Sequence, residues 1–289
     1  MRHEILVQSI GTRPWREALF RAIDSDAAAT LRDATADELG ELFARVMRVP
    51  VELGDIGARV PGRSVFTLFY LASWLSALDR LAVPRNAATL EIAAGDTVYV
   101  PVALDIHTAG GGSYVTANLN EELTAGFRAG TAGLRIPTRV VEDHAANLAA
   151  HCEPESFDLV AFQHAVNDLV QTAVADENGI DTVHLDWFEI LPTMVRLVME
   201  YHRDGRLETN VRSAFVGLMA TAASLLRPGG HMVFNNCVFQ VDLEAGYETD
   251  LYASFISLAR RWIARSGLEL EIVDPEWIDP QWWMVVRKR

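Results

Sequence analysis

Hydrophobic positions recur at helical spacing through the first part of the chain. From Arg16 to Ile23 they fall at Leu19, Phe20 and Ile23. Thr35 opens Thr-Ala-Asp-Glu, a capping box in which a hydroxyl and a carboxylate satisfy orphan amides reciprocally. The helix behind it places Leu39, Leu42, Phe43, Val46 and Met47 on one stripe. Gly54, Gly57, Pro61 and Gly62 read as a loop. Ser64 to Leu81 reads as a strongly apolar helix carrying Phe66, Phe69, Tyr70, Trp74 and Leu78, ended by Pro84. Residues 1–84 are thus expected to be wholly helical.

After Pro84 the texture changes to short apolar runs of β type with helical segments between most of them. The strands predicted are Thr89–Ile92, Tyr114–Ala117, Thr138–Glu142, Phe157–Phe162, His231–Asn235, Leu268–Val273 and Trp282–Arg287. Alternation of this kind predicts an α/β domain over residues 85–289 with a mainly parallel sheet. Ligands of such sheets sit beyond the carboxyl ends of the strands. From Asp186 to His202 a stripe of Phe188, Leu191, Met194, Val195, Val198 and Met199 interrupts the alternation, ahead of a helix over Val211–Leu226. This predicts a helical insertion at about 176–210, which with the helical N-terminus suits a lid over the strand ends, with extra core packing as the alternative for the stripe residues.

Composition narrows the function. Half of the 289 residues are hydrophobic and 22% are charged, a balance that fills a globular core. The net charge of −14 argues against a nucleic-acid partner and against an anionic membrane surface, since both attract clustered Lys and Arg. Two cysteines, Cys152 and Cys237, rule out a disulfide scaffold, and no His or Cys spacing suggests a metal site. No apolar leader follows Met1. The run between Arg63 and Asp79 is broken by Ser64, Thr67, Ser73 and Ser76 and is short of the roughly 20 apolar residues that span a bilayer. The chain is expected to be soluble and cytoplasmic.

Five segments carry candidate chemistry. Leu90-Glu91-Ile92-Ala93-Ala94-Gly95-Asp96-Thr97 is a strand-to-helix turn of small residues, which lets backbone approach a ligand. Tyr114 to Ala117 runs into Asn118, Leu119 and Asn120, polar groups able to bond a ribose. Val141-Glu142-Asp143-His144 ends the third strand. Phe157-Asp158-Leu159-Val160 leads to Gln163 and His164, and Leu226-Arg227-Pro228-Gly229-Gly230 precedes the fifth strand.

In this order and at these spacings the five segments resemble the class I S-adenosylmethionine-dependent methyltransferases, over about two hundred residues from Ala88 onward. The resemblance implies a Rossmann-like seven-stranded sheet, mostly parallel with the last strand antiparallel, and S-adenosyl-L-methionine as cofactor. It assigns Glu91, Ala93 and Gly95 to the cofactor loop, Asn118 and Leu119 to the ribose, Asp143 to the adenine amino group and His144 to the ring's side. Gln163 falls near the sulfonium. Two departures stand out. The loop has Ala93 and Thr97 where the family has glycines, an Ala that costs little and a Thr that crowds the methionine arm. Strand two ends in Asn118 where the family has an acid, which leaves Glu121 or Glu122 as other candidate ribose ligands.

His164 is the one evident general base after strand four, with hydrogen bonding to backbone at the strand end as the alternative role. Asn167 and Tyr70 are candidate orienting groups, and Asn235 and Asn236 either hold a polar substrate group or cap loop backbone. Phe66, Phe69, Tyr70 and Trp74 are expected to be core, with a cation–π wall as the functional alternative. The leading expectation is methyl transfer to a small molecule. The alternatives are use of the cofactor for ring closure to azetidine-2-carboxylate with release of methylthioadenosine, and a catalytically silent binding subunit.

Overall fold

The computed structural model describes residues 1–23, 25–51, 55–56 and 60–289. Four helices, α1 (His3–Thr12), α2 (Arg16–Arg21), α3 (Ser25–Asp33) and α4 (Ala36–Val46), lead into α5 (Gly62–Arg80). The expected capping box is present at the start of α4: Thr35 N–H donates to Glu38 Oε2 at 2.7 Å and Thr35 Oγ1 accepts from Glu38 N–H at 3.3 Å. Between α4 and α5 the expectation of a wholly helical segment is corrected. A small antiparallel ribbon pairs β1 (Asp55–Ile56) with β2 (Val60–Pro61), and Gly62 opens α5 instead of closing a loop. Gly54 and Gly57 lie outside the described residues.

From Val65 to Leu78 every residue of α5 but Thr67 is buried. A helix apolar on all sides can be stable only when surrounded. Its chain stops at Leu81, whose N–H bonds the Ala77 carbonyl, and Ala82 takes φ +51, so the helix ends before Pro84 is reached.

Strands β3 (Ala88–Ile92), β4 (Ser113–Ala117), β5 (Thr138–Val141), β6 (Phe157–Gln163), β7 (Leu226–Asn235), β8 (Leu270–Val273) and β9 (Trp283–Lys288) form one sheet in the order β5-β4-β3-β6-β7-β9-β8. The first five are parallel, and β9 runs antiparallel to both β7 and β8. Numbered along the sheet's own strands this is 3-2-1-4-5-7-6, the class I methyltransferase order that the resemblance implies. Asp158 of the Phe-Asp-Leu-Val segment ties the sheet's centre together: it accepts from the Ala88 N–H at 2.8 Å and pairs with Arg227. Gly230 is fixed by space, since a Cβ there would lie 2.9 Å from the Arg227 carbonyl oxygen.

Crossovers are made by α6 (Tyr99–Thr108), α7 (Glu121–Thr131), a 3₁₀ turn (Ala145–Ala150), α8 (Val166–Glu177) and, after the insertion, α10 (Arg212–Leu225). The insertion is α9 (Trp187–Arg203) followed by a π-helical turn over Leu207–Val211. Five of the six stripe residues predicted for α9 are buried; Phe188 is not, being 63% exposed at the first turn. After β7 come α11 (Gln240–Glu244), α12 (Thr249–Ala253) and α13 (Phe255–Ala264).

One contiguous apolar core runs from Met1 through α1, α4 and α5 to Leu159, Val233 and Val285 of the sheet. The N-terminal helices therefore pack as a layer on one sheet face. They are also fastened to the far end of the chain, where Arg2 N–H donates to the Trp277 carbonyl at 3.1 Å and Arg2 Nε to that of Ile278 at 3.0 Å. Among the described residues no helix is long and apolar enough to cross a membrane.

Candidate active site at the strand ends

A cleft with about 620 Å³ of free space opens beyond the carboxyl ends of β3, β4 and β5. Its floor is apolar (Ala93, Ala117, Leu119, Leu123, Ala145, Leu169), and Asn118, Asn120, Asp143, His144 and Asp168 stand around it, with Trp187 of the insertion at one side. The turn after β3 reaches the cleft through two left-handed residues, Ala93 at φ +55 and Gly95 at φ +59. For alanine that conformation costs about 1 kcal/mol or more, so the expectation that Ala93 costs little is corrected. Thr97 is corrected too: its hydroxyl donates to the Ala94 carbonyl at 2.9 Å, closing the turn on itself, and it does not line the cleft.

Asn118 grips Gly95 with both halves of its amide. Its Nδ2 donates to the Gly95 carbonyl at 2.7 Å and its Oδ1 accepts from the Gly95 N–H at 3.2 Å. A carboxylate there could make only the second bond, which gives the amide a physical reason. Asn120 caps α7 by accepting from Leu123 N–H, and donates to the carbonyls of Thr182 and Leu185, tying the insertion to the cleft. Glu121 is exposed and outside the cleft, beside His184; Glu122 borders the adjoining groove under Trp187 and Phe188.

Asp143 lines the cleft and is held by three donors: His151 Nε2 at 2.8 Å, Asn147 Nδ2 at 2.8 Å and the His144 N–H at 2.6 Å. The His151 bond, then the Asn147 and His144 bonds, pull its carboxyl down to about 2, so it is ionised at any working pH. His144 accepts from Ala146 N–H through Nδ1 and so caps the 3₁₀ turn at the cleft's edge. Glu91 lies elsewhere. It is fully buried under the sheet, hydrogen-bonded to the Tyr114 hydroxyl, and does not line the cleft; burial pushes its carboxyl up to about 8.

A second half-site lies at the ends of β6 and β7. Gln163 is 4% exposed and is spent on structure: its Oε1 accepts from Trp74 Nε1 at 2.6 Å and from Asn235 Nδ2 at 2.7 Å. His164 sits at φ +54, its N–H shared between the carbonyl and side-chain oxygens of Asn235. Its Nδ1 accepts from the Cys237 N–H at 3.2 Å. That leaves the proton on Nε2, which faces the Tyr252 hydroxyl at 3.3 Å, and Tyr252 in turn donates to Asp242 Oδ2 at 2.7 Å. Burial holds the imidazole neutral, its pKa lowered to about 3. Both ring nitrogens are thus engaged within the protein. Burial also raises Asp242 to about 6, and burial with the nearby Asp242 charge raises Asp168 to about 8.

Aromatic rings wall this half. Phe239 packs edge-on against His164 at 4.8 Å, Phe66 lies 5.5 Å from Phe239, and Tyr70 stacks on Tyr99 at 5.6 Å. The Tyr70 hydroxyl is buried without a hydrogen-bond partner, with the Cys237 thiol as its polar neighbour. Phe69 and Trp74 face the core instead, against Phe43 and Trp283. Asn167 is 2% exposed; its Nδ2 donates to Asp168 Oδ1 at 2.7 Å and its own Oδ1 has no partner. Asp242, Tyr252 and Cys237 were not legible as site residues, since they come from the loop after β7 and from two five-residue helices too short to carry a periodic signal. Among the described residues no cluster of three or more His, Cys, Asp or Glu is arranged for a metal.

No family model matches the chain, and no curated protein matches it. Solved structures do share its fold. PH0851 is 13% identical and covers 98% of this chain at a TM-score of 0.48; the chain spans 65% of that protein's length. A candidate S-adenosyl-L-methionine-dependent methyltransferase from Methanococcus maripaludis is 12% identical, covering 78% of this chain and 88% of its own at a TM-score of 0.46. A candidate rRNA methylase from Clostridium thermocellum is 8% identical, covering 76% and 94% at 0.43. At such identities the likeness concerns the fold. One expectation is corrected: a protein named for RNA stands among those that the chain resembles, and a net charge of −14 does not by itself exclude a nucleic-acid partner. Local potential at a site, and not the sum over the chain, governs such binding.

Proposed function

We propose that the chain binds S-adenosyl-L-methionine in the cleft and transfers its methyl group to a small molecule held at the ends of β6 and β7. The observation carrying this reading is that two unlike half-sites lie side by side, an apolar cleft edged by amides and a carboxylate, and a buried polar cluster walled by aromatic rings, with Asp168 common to both. The residues fit the cofactor. The apolar floor suits the faces of an adenine ring, and Asp143 Oδ2 accepts from His151 alone, leaving a lone pair for an amino group. Gly95 has no side chain to obstruct close approach. Tyr70, Tyr99 and Phe66 offer π faces to a cation, an attraction of about 0.5–2 kcal/mol.

Bound there, S-adenosyl-L-methionine supplies an electrophilic methyl group on a sulfonium. What the chain adds is position and dryness, the largest levers on a displacement between two held partners. The roof of α5 keeps water from the β6 and β7 ends. His164 acts as a positioning residue, bridging the Cys237 backbone to Tyr252. Asp242, ionised at neutral pH, can take up an acceptor's proton through the Tyr252 hydroxyl.

Ring closure by the cofactor's own amine is the second reading. It is favoured by one observation, that Asp168, hydrogen-bonded to the buried Asn167, stands on the wall of the cofactor cleft, where such an amine would be held. A single experiment separates the readings: incubate the protein with S-adenosyl-L-methionine, alone and with candidate acceptors, and follow the nucleoside product. Formation of S-adenosylhomocysteine only after an acceptor is added supports methyl transfer. Methylthioadenosine formed without an acceptor overturns it in favour of ring closure. Binding with neither product marks a silent subunit. Asp143→Asn should weaken S-adenosylhomocysteine about tenfold by calorimetry, the loss of one charge-assisted bond.

A further inference from the structure

Helix α8 turns a run of hydrogen-bond acceptors toward the second half-site. Asn167 and Gln171 lie one turn apart, both at least 98% buried, and the side-chain oxygen of each has no partner. Their orientation is fixed by what the other half of each amide does: Asn167 Nδ2 donates to Asp168 Oδ1, and Gln171 Nε2 donates to the Tyr247 hydroxyl at 3.1 Å. Tyr247 stacks on Tyr252 at 4.7 Å, and Tyr252 donates to Asp242. Asp168 lies near enough to feel the Asp242 charge, so the two carboxyls and the two orphaned amide oxygens belong to one buried neighbourhood. Among the described residues no lysine or arginine forms an ion pair with Asp168 or Asp242.

Apart from the proton that burial leaves on Asp168 near neutral pH, these oxygens have no donor to turn to, and a buried oxygen left unpaired forfeits the bonds that it made to water. A ligand carrying several N–H donors and positive charge would satisfy them all at once. A hydroxyl brings one donor, and an anion would meet repulsion.

We infer that Asn167, Asp168, Gln171 and Asp242 form an amine subsite, which takes a primary or secondary amine of the acceptor molecule. This rests on the methyl-transfer reading and narrows it to amine-bearing acceptors. The aromatic wall of Phe239 and Tyr252 around His164 gives such an acceptor an apolar body to bury.

The test is calorimetric titration of the full chain loaded with S-adenosylhomocysteine, using methylammonium, ethanolamine and phenethylamine, each against the alcohol of matching size. At least one amine should bind about tenfold tighter than its alcohol, the usual gain of a charge-assisted over a neutral hydrogen bond. Asp168→Asn should abolish the preference, and Asn167→Ala should reduce it. Unchanged circular dichroism and melting temperature report that these variants fold. No amine preference in a protein that binds S-adenosylhomocysteine overturns the inference and leaves the function reading standing. A preference that survives both Asp168→Asn and Asp242→Asn also overturns it. Failure to bind S-adenosylhomocysteine at all refutes the function reading itself. If Asp168→Asn weakens S-adenosylhomocysteine but not methylthioadenosine, and no amine is preferred, the subsite holds the cofactor's own amino group and the acceptor assignment is wrong.

Discussion

Trp74 of α5 donates its indole N–H to Gln163 Oε1 at 2.6 Å, joining the middle of the helical N-terminus to the last residue of β6. Gln163 passes the connection to Asn235 at the end of β7, and Asn235 holds the backbone of His164. The pair is fully buried, so an indole without its acceptor, or an amide without its donor, would pay for desolvation with nothing in return. The helical layer is thus bonded directly to the two strand ends where substrate chemistry would occur.

A chain starting at Arg85 should therefore not behave as a smaller version of the whole. It would expose the sheet face that α1, α4 and α5 cover and leave Gln163 unpaired. The expected outcome is aggregation, with no binding of S-adenosylhomocysteine by whatever stays in solution. Size-exclusion chromatography and calorimetry check it, and a soluble, monomeric, fully binding product would contradict the single shared core.

Asn118→Ala removes two bonds to one peptide group in the cofactor loop. Stability should fall by about 1–2 kcal/mol in denaturant titration, and cofactor affinity should fall further because the loop is no longer preorganised. Asn118→Asp should retain part of the affinity only, since a carboxylate accepts from the Gly95 N–H but repels its carbonyl. Equal binding by Asn118→Asp and the parent would show that the second bond is idle.

Ala93→Gly should stabilise. At φ +55 the alanine Cβ costs about 1 kcal/mol or more, and glycine gives back less than that in unfolded-chain entropy. The net gain of about 0.5 kcal/mol is small enough that it must be read from matched denaturation curves. A loss of stability would mean that the Ala93 methyl packs against the cleft floor more firmly than its backbone is strained.

Glu91 ties stability to pH. Its folded carboxyl is raised to about 8 by burial, while in the unfolded chain it titrates near 4.5. Below 4.5 both states are protonated and the contribution is fully present. Between 4.5 and 8 only the unfolded chain releases its proton, so stability declines as pH rises and levels off above 8. The loss from pH 5 to pH 8 should be on the order of 3 kcal/mol, and Glu91→Gln should flatten it. Parallel slopes for parent and variant would refute the buried, protonated state.

Periodicity carried the strands, because most strands of a covered parallel sheet are apolar runs bounded by turn residues, while their arrangement in the sheet came only with the family resemblance. Ser64–Leu81 was likewise legible, its ends off by one or two residues, as an all-apolar helix must be buried. The ribbon of β1 and β2 was not, as two-residue strands carry no period. At the site, Ala93, Gly95, Asn118, Leu119, Asp143 and His144 all border the cleft as their positions at strand ends imply. Gln163 and Glu91 occupy equivalent strand-end positions but point into the core, and a one-residue step along a strand is enough to reverse the face. Nor does sequence say that an amide will be spent on its neighbour: Asn118 reads as a free ligand until Gly95 is found in both its bonds. The Asp242–Tyr252–His164 chain joins residues up to 88 positions apart, a proximity that only the folded sheet creates.

The bonds from Arg2 to the carbonyls of Trp277 and Ile278 set an order on the making of the protein. During synthesis the first helix leaves the ribosome long before the segment that it needs, and β9, which must insert between β7 and β8, emerges after both of them. The apolar faces of α1, α4 and α5 can cover one another and meet α6 early, but the part that packs on β7 and β9 waits until those strands emerge. Contacts this distant in sequence close late and slowly, so the nascent chain is a natural client for chaperones, and its yield in a cell should depend on their supply more than the finished protein's stability would suggest.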